Sequence, residues 1–305
     1  MQVNAKCLTS AFVVLVMMAS LPARGQDFDK EEIHASPLRD NLYLLQGIGG
    51  NIVVSVGTDG TLIVDDEYRE LNAKLMAAIE KITDRPVRYV INTHWHNDHT
   101  GGNEMLGKAG AVVIAQENTG KRMTTDSVMS LYGPQAAYTS AGQAKITYSV
   151  SMQLHHNGET IDLIHPGPSH TDGDTVVYFR EHNILMTGDI FVGSDYRPPY
   201  FDDLNGGSLQ GMIAGAQAIL GLINAKTIVI PGHGEPATRV DLAAYHANLI
   251  DLRERIKAAI ARGDSEDAVV ASKPVGDFAR AGKGTDRWVR VVYREYRQTQ
   301  QAQRK

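Results

Sequence analysis

Cysteine is almost absent from this chain: among its 305 residues the only one is Cys7. It lies in an N-terminal apolar stretch, so the remainder can form no disulfide and must stand on a buried core. About 280 residues are ample for that. No run of membrane-spanning length is present either. The apolar stretch over residues 11–19 falls short of the roughly 20 residues that cross a bilayer. It follows Lys6 and leads into Ala23-Arg24-Gly25. A basic start, a short apolar run and a small-residue end predict a secretory signal over residues 1–25. The protein is then periplasmic or secreted, with no stable membrane insertion once the signal is cleaved. An uncleaved anchor is the rival reading. No Arg-Arg pair precedes the run, which favours export of the unfolded chain.

An excess of basic charge is also lacking. Thirty Lys and Arg face 35 Asp and Glu, a net charge of −5. Removing residues 1–25 takes away Lys6 and Arg24 and no acid, which leaves −7. That argues against nucleic acid as a partner, since phosphate binding calls for a basic face. Arg287, Arg290, Arg294, Arg297, Arg304 and Lys305 make a basic C-terminal tail, read as a solvated helix face. There is no internal repeat and no low-complexity linker, so residues 26–305 are expected to form one domain.

What the chain does have is Thr93-His94-Trp95-His96-Asn97-Asp98-His99-Thr100-Gly101-Gly102. Three imidazoles and a carboxylate fall within six residues, and both ligand types suit zinc. In an extended segment His94 and His96 project from one face and can hold one metal. Asp98 and His99 lie where the chain turns and can reach a second. The run over residues 87–92 just before the motif reads as a buried strand, and a strand end is a rigid place for a site. Further ligand types recur in the same strand-to-loop context: His170 before the strand at 175–179, Asp189 after 184–188, and His233 after 227–230. Seven such groups match the needs of two zinc ions per chain.

Periodicity outlines the rest. Strands are expected at 42–45, 52–56, 62–64, 87–92 and 111–114, and a helix over 70–82 that ends before Pro86. Helix-like sequence surrounds 118–130, and 131–144 reads as a loop. A meander is expected at 146–150, 152–154, 160–164 and 175–179, with Asn157-Gly158 as a hairpin turn. Helices are expected at 209–222 and 240–262 and near 285–298. Strands then helices, twice over, predict an α/β fold: a four-layer αββα sandwich with the ligand residues at one sheet edge.

With these residues in place, the chain resembles the metallo-β-lactamase superfamily over nearly all its length after the signal segment. The resemblance implies the same sandwich. It implies that His94, His96 and His170 bind one metal, that Asp98, His99 and His233 bind a second, and that Asp189 bridges them. Asp65, closing the strand at 61–64, is similar to the family's early acidic residue, which supports the histidine loop from behind the metals. The implied activity is that of a zinc-dependent hydrolase, in which a metal-bound hydroxide opens a cyclic amide or ester of a small molecule, β-lactams included. Asp98 would hold the second metal and orient the hydroxide. Family β-lactamases often carry cysteine where this chain has Asp189. Having both His233 and Asp189 looks more like lactonases and thioesterases, whereas export fits a β-lactamase. A lactonase or thioesterase without β-lactamase activity is therefore the alternative, followed by a mononuclear iron sulfur dioxygenase.

Specificity should come from loops. Residues 47–51 read as a flap and 196–201 as a substrate wall. Within reach, Arg197 could pair with a substrate carboxylate and Asn205 could polarise a carbonyl; each could equally be an ordinary surface residue. Met123, Met129, Tyr132 and Tyr138 read as core before site cover. Trp95 is expected to pack under the metal loop. His155, His156, His165, His182 and His246 lack a ligand-like context.

Overall fold

Short apolar strands with glycine turns build the first sheet of the protein. Its structure, a computed structural model, describes residues 27–130, 132–193, 200–276 and 283–302. In chain order, β1 (His34–Arg39), β2 (Leu42–Gln46), β3 (Ile52–Ser55) and β4 (Thr61–Val64) form an antiparallel meander. Next, β5 (Val87–Ile91) and β6 (Val112–Gln116) continue the sheet in parallel with β4. The segment between β4 and β5 is helical, as α1 (Asn72–Glu80) after a single turn at Arg69–Leu71. After β5 come the one-turn α2 (Asn97–Thr100) and α3 (Asn103–Lys108).

After β6 the chain departs from expectation. The helix around 118–130 stops early: α4 (Glu117–Arg122) gives way to a small antiparallel hairpin, β7 (Ser127–Met129) and β8 (Gly133–Gln135). Thr124, Thr125 and Asp126 interrupt it with short polar side chains that compete for backbone groups; Asp126 accepts from Ala137 N instead. The expected meander is also split. β9 (Ile146–Tyr148) closes the first sheet as a parallel edge strand beside β6, and β10 (Ser151–His156) opens the second. Tyr148 is buried between the sheets with its hydroxyl on Thr175.

The second sheet runs β10, β11 (Glu159–Ile164), β12 (Val176–Phe179), β13 (Ile184–Met186) and β14 (Ile228–Ile230). Asn157 and Gly158 turn the β10–β11 hairpin at φ 53° and 80°, the left-handed pair that such a turn requires. The last pair, β13 and β14, is parallel, and α5 (Leu209–Leu222) lies between them in sequence. The chain then ends in α6 (Arg239–Arg262), α7 (Glu266–Ala271) and α8 (Lys283–Ala302).

Three apolar clusters fill the spaces between layers. Leu44, Val53, Val64 and Ile114 meet Leu163, Phe179 and Met186 between the sheets. On the far face of the first sheet, Leu75 and Ile79 of α1 and Leu106 of α3 cover Val54, Ile63 and Val90. On the far face of the second, α5, α6 and α8 cover Tyr178, Leu185 and Val229. The architecture is the expected αββα sandwich. Among the elements without a sequence signal are β1 and α7. β1 contains Pro37, which reads against a strand and is tolerated here because β1 is an edge. α7 is only six residues long, held by its Ser265 cap.

The described residues from Glu31 onward form one compact unit, and residues 28–30 make a turn. No helix among the described residues is long and apolar enough to cross a membrane.

Candidate metal centre

Parallel strands deliver their C-terminal ends to one rim, and the ligand-type residues gather there. Asp65 follows β4, Thr93 and His94 follow β5, Asp189 follows β13 and His233 follows β14. His170 precedes β12, which runs antiparallel to β13, so its start faces the same rim. Asp65 ties two of these ends together. Its backbone takes a left-handed turn (φ 63°), which costs a non-glycine residue of order 1 kcal/mol. In return its carboxylate accepts from Thr93 N (2.7 Å), Thr93 Oγ1 (2.8 Å) and His99 Nδ1 (2.7 Å). Two glycines let backbone approach closely. A Cβ on Gly50 would lie 2.3 Å from the His99 ring, and one on Gly232 would overlap the Asp189 carboxylate.

Five buried imidazoles share one pattern. Each turns one nitrogen outward to an acceptor: His94 Nδ1 to Thr93 Oγ1 (3.1 Å), His96 Nε2 to Asp202 Oδ2 (3.0 Å), His99 Nδ1 to Asp65 Oδ2 (2.7 Å), His170 Nδ1 to Tyr200 O (2.9 Å) and His233 Nδ1 to Gly49 O (3.0 Å). Thr93 Oγ1 donates its own proton to Asp65, so it accepts from His94. A proton on each outer nitrogen leaves a lone pair on each inner one. Those inner atoms crowd together. His170 Nε2 is 3.1 Å from His96 Nδ1, and His99 Nε2 is 3.3 Å from His233 Nε2. His94 Nε2 is buried with no hydrogen-bond partner. Lone pairs so close repel unless a cation or a proton lies among them, so this donor set fits bound metal.

The inner atoms fall into three groups, each within 4.8 Å: His94, His96 and His170; Asp98, His99 and His233; and His94, His99 and Asp189. Asp189 spans the first two, with Oδ2 3.6 Å from His170 Nε2 and 3.5 Å from His233 Nε2, and Oδ1 3.3 Å from His99 Nε2. The groups differ in charge. Burial pushes the His94 pKa well below its usual value and that of His170 down to about 4. Burial also works against a charged His99 or His233, but adjacent carboxylates overcome it. Asp98, Asp189 and Asp65 raise His99 well above its usual value, and Asp189 and Asp98 raise His233 to about 10. Conversely, burial opposes ionisation of Asp98 and Asp189, yet His99 and His233 hold Asp98 down at about 2 and Asp189 well below the usual range.

The structure thus draws together His94, His96, Asp98, His99, His170, Asp189 and His233, with Asp65 behind His99. Asn205 has a different place from the one expected. Its Nδ2 donates to Asp202 Oδ2 (2.7 Å) and Val128 O (2.8 Å), and its Oδ1 accepts from Arg122 (2.6 Å). Both amide protons are used, so none remains for a substrate carbonyl. Arg197 lies outside the described residues, as do residues 196–199 of the expected wall. Tyr200 is described and stands 6.2 Å from the His96 ring, near parallel to it. The expected flap at 47–51 is a bonded shelf: Gly49 N donates to Glu67, Gly50 N to Asp98 O, and Asn51 Nδ2 to Pro231 O and Gly234 O. Met123, Met129 and Tyr138 are buried, as is Trp95 against His96; Tyr132 is 64% exposed. Asp202 was missed. It lies 106 residues from His96 in sequence, and only the fold joins them.

A family model described as the metallo-beta-lactamase superfamily matches residues 36–243. The chain is 26% identical over 185 residues to a metallo-beta-lactamase type 2 of Pseudomonas aeruginosa, covering 60% of this chain and 67% of that one. It is 25% identical over 182 residues to the 2,4-dinitroanisole O-demethylase subunit alpha of Nocardioides sp. (strain JS1661), covering 57% and 51%. A solved metallo-beta-lactamase from Pontibacter korlensis superposes with a TM-score of 0.61 at 18% identity, over 72% of this chain and 100% of that one; at that identity the likeness is one of fold.

Proposed function

The chain belongs to the metallo-β-lactamase superfamily, a family of metal-dependent hydrolases, and from that premise we propose that it is an exported dizinc hydrolase opening a cyclic amide or ester. Residues 26–305 are its single catalytic domain and residues 1–25 its signal. The observation that carries the reading is the set of five imidazoles, each held from outside and aimed inward, with the carboxylates of Asp98 and Asp189 among them.

His94 Nε2, His96 Nδ1 and His170 Nε2 would hold one zinc. Asp98, His99 Nε2 and His233 Nε2 would hold the other, and Asp189 would bridge. When bound, such a pair lowers the pKa of water towards neutrality and polarises a carbonyl. The residues supply the rest. Asp98 is the most exposed of the seven, its side chain 18% accessible against 11% for Asp189 and 9% for His233. It therefore meets incoming water and substrate, stays ionised, and can accept and orient a proton at Oδ2. Asp202 and Asp65 fix the ring planes of His96 and His99. Tyr200 shields the imidazoles of His96 and His170 from bulk water.

The similar proteins carry names as different as a β-lactamase and an O-demethylase subunit, so the substrate is not set by the family. The lactonase or thioesterase reading shares this centre and differs only in the ring or chain opened. The decisive experiment loads the protein with zinc and pairs metal analysis with a hydrolysis panel of penicillin, cephalosporin, carbapenem, homoserine lactone and thioester. Two zinc per chain and chelator-sensitive turnover of one class are expected. One iron per chain, with no hydrolysis, would replace the reading with the sulfur dioxygenase one.

A further inference from the structure

The β7–β8 hairpin is small, yet it is fastened to the metal centre at four points. Ser130 N donates to Asp202 Oδ1 (3.2 Å), and Ser130 Oγ bonds Tyr200 OH (2.7 Å). Asn205 Nδ2 donates to Val128 O (2.8 Å), and Gln135 Nε2 to Trp95 O (2.9 Å). Three of these anchors belong to residues that touch or neighbour His96. At the tip, next to Gly133 (φ 90°), stands Tyr132 with 64% of its surface exposed. Its ring meets Tyr200 edge to face at 5.6 Å. Tyr200 in turn lies 6.2 Å from the His96 ring and 5.5 Å from the His170 ring. A continuous file of rings therefore runs from solvent to the imidazoles. An exposed aromatic on strands fastened by such bonds loses little freedom when a second ring packs on it. The nearby cation does not compete for that role: Arg122 is engaged by Asp172 and Asn205.

We propose that the hairpin is a specificity platform, with Tyr132 receiving an aryl or similarly flat apolar substituent of the substrate whose reacting group lies at the imidazole cluster. This rests on the reading of that cluster as a metal-dependent hydrolytic centre. Tyr132 touches the substituent and not the reacting atoms, so it governs selectivity. Edge-to-face contact between rings contributes beyond area burial. Together with the apolar surface covered, it should make an aryl ligand about tenfold tighter than its methyl counterpart.

The test uses a matched pair of metal-binding ligands, phenylacetohydroxamic acid and acetohydroxamic acid, titrated by calorimetry into the zinc-loaded full chain. Metal content is measured on each variant. The wild type should prefer the phenyl compound about tenfold. Tyr132→Ala should cut that preference to about twofold at unchanged metal content, and Tyr132→Phe should keep it. An equal preference in wild type and Tyr132→Ala, no preference in the wild type, or no binding of either compound would overturn the platform. The readout needs no turnover. Failure of every hydrolysis assay alongside a Tyr132-dependent preference would therefore sink the hydrolase reading and leave the platform standing. Turnover with a flat preference would sink the platform alone.

Discussion

The two halves of the imidazole cluster are built from the same residue type and behave as opposites. His94, His96 and His170 face one another with no carboxylate of their own group, and burial keeps His94 and His170 neutral. Asp98, His99 and His233 sit with two ionised carboxylates, which hold protons on the two histidines. A cation entering the first half meets ready lone pairs. A cation entering the second must displace protons, after which the carboxylates offset its charge. Electrostatic surroundings, not ligand identity, set this difference. Asp189 touches both halves and is the one residue whose loss should blur it.

The largest expected effect therefore follows from Asp189→Asn. An amide cannot hold two cations or balance their repulsion. We expect turnover to fall by about a thousandfold or more, with one metal retained, since even outer partners of ligands cost tenfold to a hundredfold. Metal analysis beside hydrolysis rates checks it. Two metals and near-normal rates would mean that Asp189 does not join the halves.

How much of this contrast the sequence carried can be stated residue by residue. His94, His96, Asp98 and His99 were legible because four ligand residues within six positions leave a signal that a single strand end explains. His170, Asp189 and His233 were legible because each sits where an apolar run stops. The sandwich was legible from strand and helix periods, which depend on near neighbours. Asp202 and the hairpin were not. Asp202 acts on His96 only through the approach of two loops, and β7 is three residues of mixed polarity that read as part of a helix. Asn205 was misassigned for the same reason: its amide is consumed by Asp202, Val128 and Arg122, contacts that no local pattern encodes.

Acidity should separate the halves next. Below about pH 10 His233 carries a proton that metal must displace, and His99, also raised, adds another. His170, at about 4, carries none above pH 5. The second metal's apparent affinity should climb between pH 6 and 8.5, about tenfold per unit for each proton released, and more steeply than the first. Competition titrations against a chromophoric chelator measure both. Equal slopes would remove the electrostatic contrast.

A smaller effect sharpens the comparison by touching the two halves unequally. Asp65→Asn disturbs the acceptor of His99 Nδ1, and Asp202→Asn that of His96 Nε2. Each carboxylate accepts three hydrogen bonds, so the introduced amide must turn a donor towards a donor. We expect Asp202→Asn to lower affinity by about ten- to a hundredfold in the first half and little in the second, and Asp65→Asn to do so in the second half and, through the Thr93 hydroxyl that holds His94, more weakly in the first. Losses shared equally between the halves would show that the outer partners support one rigid unit.

The smallest expected effect lies away from the rim and asks whether any of these differences is merely global. Thr238 caps α6, accepting from Val240 N and Asp241 N, while the Asp241 carboxylate accepts from Thr238 N and Oγ1. That helix lends Leu242, Leu249 and Ile256 to the cluster beneath the second sheet, from whose strands Asp189 and His233 emerge. Thr238→Ala should cost about 1 kcal/mol of stability, read as a lower denaturation midpoint in the metal-free protein. It leaves every outer acceptor and every carboxylate of the centre in place. The ratio of the two metal affinities, and the difference in their pH slopes, should then stay as in the wild type. If that ratio shifts with the midpoint, the second half is weaker because its supporting layer yields, and the contrast belongs to packing instead of to charge.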